Sequence, residues 1–142
     1  MINLPIGVDI KSLIIDLREI SWEASEIFLC YSKILKDPNS KSNIIKNDSI
    51  NDPVTQADLS VNELIIKKIN DKYNDTNWEI LSEENVKFEP LNTSKNSDWL
   101  WVLDPLDGTR DFIQGTSNYA MHLALNYKQK PCIWHCTNTR KR

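Results

Sequence analysis

Between residues 8 and 35 the apolar side chains Ile10, Leu13, Ile14, Leu17, Ile20, Ala24, Ile27, Phe28 and Tyr31 recur at steps of three and four, the spacing that lines one face of an α-helix. The pattern predicts a long amphipathic helix, capped by Asp9 and serving to pack against a core. A second helix is predicted over residues 56–73, with Leu59, Leu64, Ile65 and Ile69 facing inward. The stretch between them, 36–51, is rich in Asn, Ser, Lys and Asp and reads as a mobile surface loop. As an alternative, its lysines make it an active-site flap that meets a phosphate.

Further along, the period shortens to two. Residues 78–84 read as a short strand ending in Glu83 and Glu84, whose alternation turns one carboxylate toward a site and the other away. Residues 85–98 read as a disordered loop. Residues 99–103, Trp-Leu-Trp-Val-Leu, form a buried strand, and residues 119–127 the clearest one, with Tyr119, Met121, Leu123, Leu125 and Tyr127 at alternate positions. His122 falls on the less apolar face of that strand and reads as structural.

The chemistry concentrates where the strand at 99–103 stops. Asp104 sits at its exit, and Pro105 and Gly108 break its continuation, which fixes Asp104 and Asp107 close together on a tight turn. Two carboxylates held so close repel unless one is protonated or a cation lies between them. A hard divalent ion such as Mg²⁺ suits that arrangement, since it takes oxygen ligands from one or two carboxylates together with substrate phosphate and water. The plainer reading is a strand-to-helix turn in which Asp107 or Thr109 caps a short helix from about Arg110. At the start of the second predicted helix, Thr55 and Asp58 have the spacing of a capping box, and Asp58 serves equally well beside a metal or a nucleophilic water.

Composition narrows the classes without choosing among them. The chain has 142 residues, one ordinary domain, with 40% hydrophobic and 26% charged residues. Its net charge of −3 argues against non-specific nucleic-acid binding. No apolar run approaches a membrane span, residues 1–5 lack the start of a signal peptide, and Cys30, Cys132 and Cys136 make no disulfide framework. The expectation is a cytoplasmic protein of the α/β class.

Three motifs in order then carry a resemblance. Asp-Pro-Leu-Asp-Gly-Thr-Arg-Asp-Phe at 104–112 resembles the signature of the inositol monophosphatase superfamily of Mg²⁺-dependent phosphatases. Leu-Ser-Glu-Glu at 81–84 is similar to its upstream glutamate motif, and Asp-Pro-Val-Thr-Gln-Ala-Asp at 52–58 to its first aspartate motif. Within the superfamily the three look closest to the CysQ branch, the 3′(2′),5′-bisphosphate nucleotidases.

The resemblance implies the N-terminal half of a layered α/β sandwich, with two helices packed on a mainly antiparallel sheet. It implies Mg²⁺ as cofactor, held by Glu83, Asp104, Asp107 and the backbone carbonyl of Leu106. Asp58 with Thr109 would orient and deprotonate the attacking water, and the amides of Gly108 and Thr109 would receive the phosphate. The implied substrate is a small phosphorylated molecule, 3′-phosphoadenosine 5′-phosphate in the CysQ reading or an inositol phosphate in the alternative. The resemblance ends near Pro131. Residues 1–131 are expected to be the metal-binding portion, and 132–142 an aberrant polar tail left by a frameshift or premature stop, so that the chain is either a phosphatase or an inactive fragment serving as an interaction partner. A zinc site at Cys132, His135 and Cys136 is a weaker alternative, because it lacks a fourth ligand.

Overall fold

The computed structural model describes residues 4–5, 7–48, 53–88 and 97–138. Asp52, which opens the first aspartate motif, lies outside them, as do 89–96 of the expected loop and 139–142 of the expected tail.

Helix α1 (Ile10–Ile34) begins where Asp9 Oδ2 accepts from the Ser12 amide at 2.9 Å, satisfying one of the amides a helix start leaves open. Its inward stripe is Leu13, Leu17, Ile20, Ala24 and Phe28. Residues 41–44 form a single turn, α2 (Lys41–Ile44), and β1 (Ile45–Asp48) pairs antiparallel with β2 (Pro53–Thr55). This corrects the expectation of an irregular loop over 36–51. Ile44 supplies the reason, since it is only 4% exposed and draws the polar stretch against the core.

Helix α3 (Gln56–Lys72) follows directly and buries Ala57, Val61, Ile65 and Ile69, one residue per turn. It lies beside α1, with Lys68 Nζ 2.7 Å from Glu23 Oε1, Lys72 paired with Asp16 and Glu19, and Tyr73 Oη donating to Asp16 Oδ2 at 2.6 Å. A partly exposed pair contributes roughly 0.2–1 kcal/mol, whereas each fully buried Leu, Ile or Phe contributes roughly 1.5–3 kcal/mol. The apolar stripes therefore seat α3, and the ion pairs trim its register.

Both helices cover one face of a four-stranded sheet in the order β3 (Glu79–Ser82), β4 (Trp99–Asp107), β5 (Ala120–Tyr127), β6 (Lys130–Thr137). The β3–β4 pair is parallel and the other two are antiparallel. Trp101 and Leu103 from β4 and Met121, Leu123 and Leu125 from β5 point to the helices and are essentially inaccessible. The alternation expected over 119–127 is thus the core face of a half-covered strand. Between β4 and β5, helix α5 (Thr109–Gln114) inserts Phe112 against Phe28 and Tyr119, with ring centroids 6.0 and 4.9 Å away.

Three boundaries differ from expectation. The strand at 78–84 stops at Ser82, and Glu83 opens a helix, α4 (Glu83–Phe88). The strand at 99–103 runs on through Pro105 to Asp107, with the register to β5 shifting between Asp104 and Asp107. Proline is tolerated there because the parallel neighbour ends at the Ser82–Leu103 pair, so on that side no ladder bond needs its missing amide hydrogen. Residues 132–137, expected to belong to an aberrant polar tail, continue β6, which pairs with β5 through a two-residue hairpin at Lys128 and Gln129, both in the left-handed region. The helix-facing side of β6 carries Ile133 and His135, and His135 Nε2 meets Ser21 Oγ. Ser21 already donates to the Leu17 carbonyl at 2.7 Å, so the histidine must be the donor to Ser21. Burial lowers the His135 pKa and favours that neutral form. Among the described residues no helix is long and apolar enough to cross a membrane.

Candidate active site

The capping box at the start of α3 is formed, and it does more than cap. Thr55 N and Thr55 Oγ1 both donate to Asp58 Oδ2, at 2.8 and 2.6 Å, and the Ala57 amide donates to Thr55 Oγ1 at 3.1 Å. One Asp58 oxygen is thereby committed to the helix start. The other, Oδ1, accepts from Thr109 Oγ1 at 3.1 Å, fifty-one residues along the chain. Asp58 is 2% exposed. Burial raises its pKa against the lowering effect of its hydrogen bonds from Thr55 and Thr109.

Thr109 joins that carboxylate to the turn. Its hydroxyl also lies 2.9 Å from the Leu106 carbonyl, and the Leu106 amide donates to Asp104 Oδ1 at 3.2 Å. Gly108 makes the turn possible, since its φ is +85° and a Cβ there would stand 2.5 Å from the Asn118 carbonyl oxygen. Gly108 and Thr109 open α5, where the Phe112 amide donates to the Gly108 carbonyl at 3.0 Å, and buried Phe112 fixes the short helix to α1.

The acidic group gathers at the end of the β3–β4 pair. Asp104 is pushed up to about 7, first by burial, then by the charge and hydrogen bond of Glu83, then by the charge of Asp107, with the Leu106 amide opposing. Glu83 reaches Asp104 because α4 starts beside β4. Ser82 Oγ donates to Asn62 Oδ1 at 2.5 Å, and Asn62 Nδ2 donates to Asn85 Oδ1 at 3.0 Å, tying that start to α3. The glutamate pair divides through this helix start rather than through strand alternation, with Glu83 exposed and Glu84 only 2% exposed. Leu81, Val86 and Val102, with Glu83 and Asp104, border a pocket of about 350 Å³.

The fold sets the Thr109 hydroxyl between Asp58 Oδ1 and the Leu106 carbonyl, which compete for its one hydrogen, and gathers Glu83, Asp104 and Asp107 into one electrostatic cluster. Its donors are all oxygens, which fits a hard divalent cation in chemistry. Burial first, and then the neighbouring charges of Glu83 and Asp107, raise the Asp104 pKa, and a cation would offset the second of these. In arrangement the cluster is looser, because no three Asp, Glu, His or Cys side chains among the described residues stand as a ready-made metal cage. Cys132, His135 and Cys136 do not converge either, since His135 and Cys136 are neighbours on β6 and turn to opposite faces.

Sequence reasoning missed His122 as a member of this group. It pairs across the strands with Asp104, and its Nε2 lies 4.0 Å from Asp107 Oδ2. The signal was the pairing of the strands at 99–103 and 119–127, which sets His122 opposite Asp104 once register is assigned. Ser82 and Asn62 gave no signal at all, being ordinary polar residues whose meeting depends on tertiary packing.

A two-helix layer on a half-covered sheet, with an aspartate-glycine-threonine turn at the strand exit, defines a layered α/β protein with an oxygen-rich acidic site. The sequence profile described as "Inositol monophosphatase family" matches residues 9–140, reaching past residue 131, and the chain belongs to that family. It is 39% identical over 85 residues to the 3′(2′),5′-bisphosphate nucleotidase CysQ of Haemophilus influenzae, a match covering 58% of this chain and 30% of that protein. It is 36% identical over 97 residues to an inositol monophosphatase of Dictyostelium discoideum, covering 68% of this chain and 34% of that one. The crystal structure of CysQ from Bacteroides thetaiotaomicron superposes with a TM-score of 0.64 and 28% identity, over 89% of this chain and 42% of the other. The chain thus spans about a third of the length of these curated relatives. The fold is that of the family, and the family is one of phosphatases acting on small phosphorylated molecules.

Proposed function

We propose that the protein is a Mg²⁺-dependent phosphomonoesterase of the cytoplasm that removes the 3′-phosphate of 3′-phosphoadenosine 5′-phosphate, a by-product of sulfate assimilation, releasing AMP and phosphate. The observation that carries this reading is the Thr109 hydroxyl held within hydrogen-bond reach of Asp58 Oδ1 and of the Leu106 carbonyl, next to Asp104. Glu83, Asp104, Asp107 and the Leu106 carbonyl would hold the cation, which when bound offsets their charge and acidifies water. Thr109 Oγ1 takes the proton of the incoming water as its own hydroxyl hydrogen passes to Asp58 Oδ1. Burial fits Asp58 for that task by raising its proton affinity. The two bonds from Thr55 hold Oδ2 and leave Oδ1 aimed at Thr109. The amides of Gly108 and Thr109 receive the phosphate, and the route needs no covalent nucleophile.

The CysQ relative supports the nucleotide as substrate, and the Dictyostelium relative supports an inositol phosphate as the second reading. A third reading is a non-catalytic protein that acts as an interaction partner. Phosphate release from the purified chain with Mg²⁺ separates the three. Release from the nucleotide bisphosphate, faster than from inositol 1-phosphate and abolished by Glu83→Ala, is expected. Faster release from the inositol phosphate establishes the second reading, and release no greater than that of the Glu83→Ala variant establishes the third.

A further inference from the structure

The face of the sheet turned away from α1 and α3 has a pattern of its own. β4 and β5 send Trp101, Leu103, Leu123 and their like to the helices, so the residues between them fall on the other side. Register carries two rows across that side. Asp104 pairs with His122 and His122 with Cys136, which makes one row. Leu81 pairs with Val102, Val102 with Ala124 and Ala124 with Trp134, which makes the next. The second row is apolar throughout and lies two residues, about 6.6 Å, from the carboxylate row. At one end Leu81 and Val102 border the pocket they share with Glu83 and Asp104. At the other stands Trp134, 67% exposed, beside an alanine that offers only a methyl group.

Trp134 leans toward the carboxylates. Its strand partner is Ala124, yet its ring meets that of His122, with centroids 6.0 Å apart and planes at 79°. His122 Nε2 in turn lies 4.0 Å from Asp107 Oδ2. The indole is thus one imidazole away from the acidic corner, with most of its surface open.

We infer, resting on the nucleotide reading proposed above, that Trp134 stacks on the base of a nucleotide whose phosphate sits at the acidic corner. An adenine is joined to its 3′-phosphate through a single furanose ring, which bridges the step of one pleat between the two rows. An inositol phosphate has no aromatic face to offer the indole, so Trp134 favours the nucleotide. Stacking uses the π-face that every base has. Trp134 therefore sorts nucleotides from sugar phosphates and does not sort one base from another.

Binding to the whole chain with Mg²⁺, followed by rapid mixing before turnover, tests this with two probes: 3′-phosphoadenosine 5′-phosphate and its abasic analogue, methyl ribofuranoside 3,5-bisphosphate. The nucleotide is expected to bind at least about fivefold more tightly than the analogue and to quench tryptophan emission. Trp134→Leu is expected to remove that quenching and to weaken the nucleotide by at least about fivefold, with the analogue held within about twofold. Trp134→Phe keeps an aromatic face and is expected to stay within about threefold of the wild type for both. If phosphate is released, KM for the nucleotide rises in Trp134→Leu while kcat for inositol 1-phosphate is unchanged. The side chain is exposed, and unchanged circular dichroism verifies that the variants fold. A nucleotide that binds no better than the abasic analogue, an equal loss for both probes in Trp134→Leu, or quenching undiminished in that variant overturns the assignment of Trp134. Absence of phosphate release with the binding differences intact refutes the phosphatase reading and upholds the stacking.

Discussion

Gly108 shows how much a single position can decide. It is one of the chain's three glycines, and all three have positive φ, yet only here would a side chain also collide with backbone. At Gly115 nothing stands within 4 Å of an added Cβ, whereas at Gly108 the Asn118 carbonyl oxygen would be 2.5 Å away. Gly115→Ala should therefore cost only the left-handed backbone term of roughly 1–2 kcal/mol. Gly108→Ala should cost distinctly more, because Asn118 or the turn must shift, and it should also displace Thr109 from Asp58. Thermal unfolding of the two variants side by side checks this, and equal losses would show that the turn yields freely. Asp58 illustrates the companion case, in which one residue serves structure and the proposed chemistry through its two oxygens.

Between elements, the α1–α3 seam combines an apolar stripe with a network around Asp16. Burial pushes the Asp16 carboxyl up, but the hydrogen bonds from Lys72 and Tyr73 and the ammonium charge outweigh it, leaving the pKa below its ordinary 3.8. A carboxylate held lower in the folded than in the unfolded state contributes stability that is complete above the unfolded value and fades as pH falls through the folded one. The seam should therefore loosen below about pH 3.8, and Tyr73→Phe should remove part of that acid-side loss while costing up to about 1 kcal/mol at neutral pH. Melting curves from about pH 2 to 7 provide the measurement, and parallel profiles for the two proteins would refute the assignment. Such a seam is only half legible in a sequence. Periodicity located both long helices to within two residues, because Leu13 through Phe28 and Ala57 through Ile69 each repeat along one face. The partnership of Asp16 with Lys72 was invisible, since charged residues on an exposed flank have no period. The short elements were missed for a related reason, as α2 and α4 hold four and six residues and are set by what they pack against.

For the molecule as a whole, α3, β4, α4 and α5 all deliver their ends to one corner, and the three motifs meet there. Their order in the sequence made the family readable, and their chemistry suggested a cation. The loose arrangement of the carboxylates was not readable, because it depends on how β4 bulges past Pro105. If Mg²⁺ binds this corner in the native state alone, it should stabilise the whole chain by about 1.4 kcal/mol at a concentration ten times its dissociation constant. A melting temperature that rises with Mg²⁺, reverts with a chelator and loses its response in Glu83→Gln is the expected outcome. A temperature indifferent to about 20 mM Mg²⁺ would count against the cation site. One feature of the packing also makes the protein its own optical reporter. Trp101 is sealed within the core with its ring edge against Trp78, while Trp22 and Trp134 are 70% and 67% exposed. The emission of the folded chain should accordingly divide into a blue, quencher-resistant part and a red part that iodide extinguishes, so that the opening of the core and changes at the surface can be followed as separate colours of the same light.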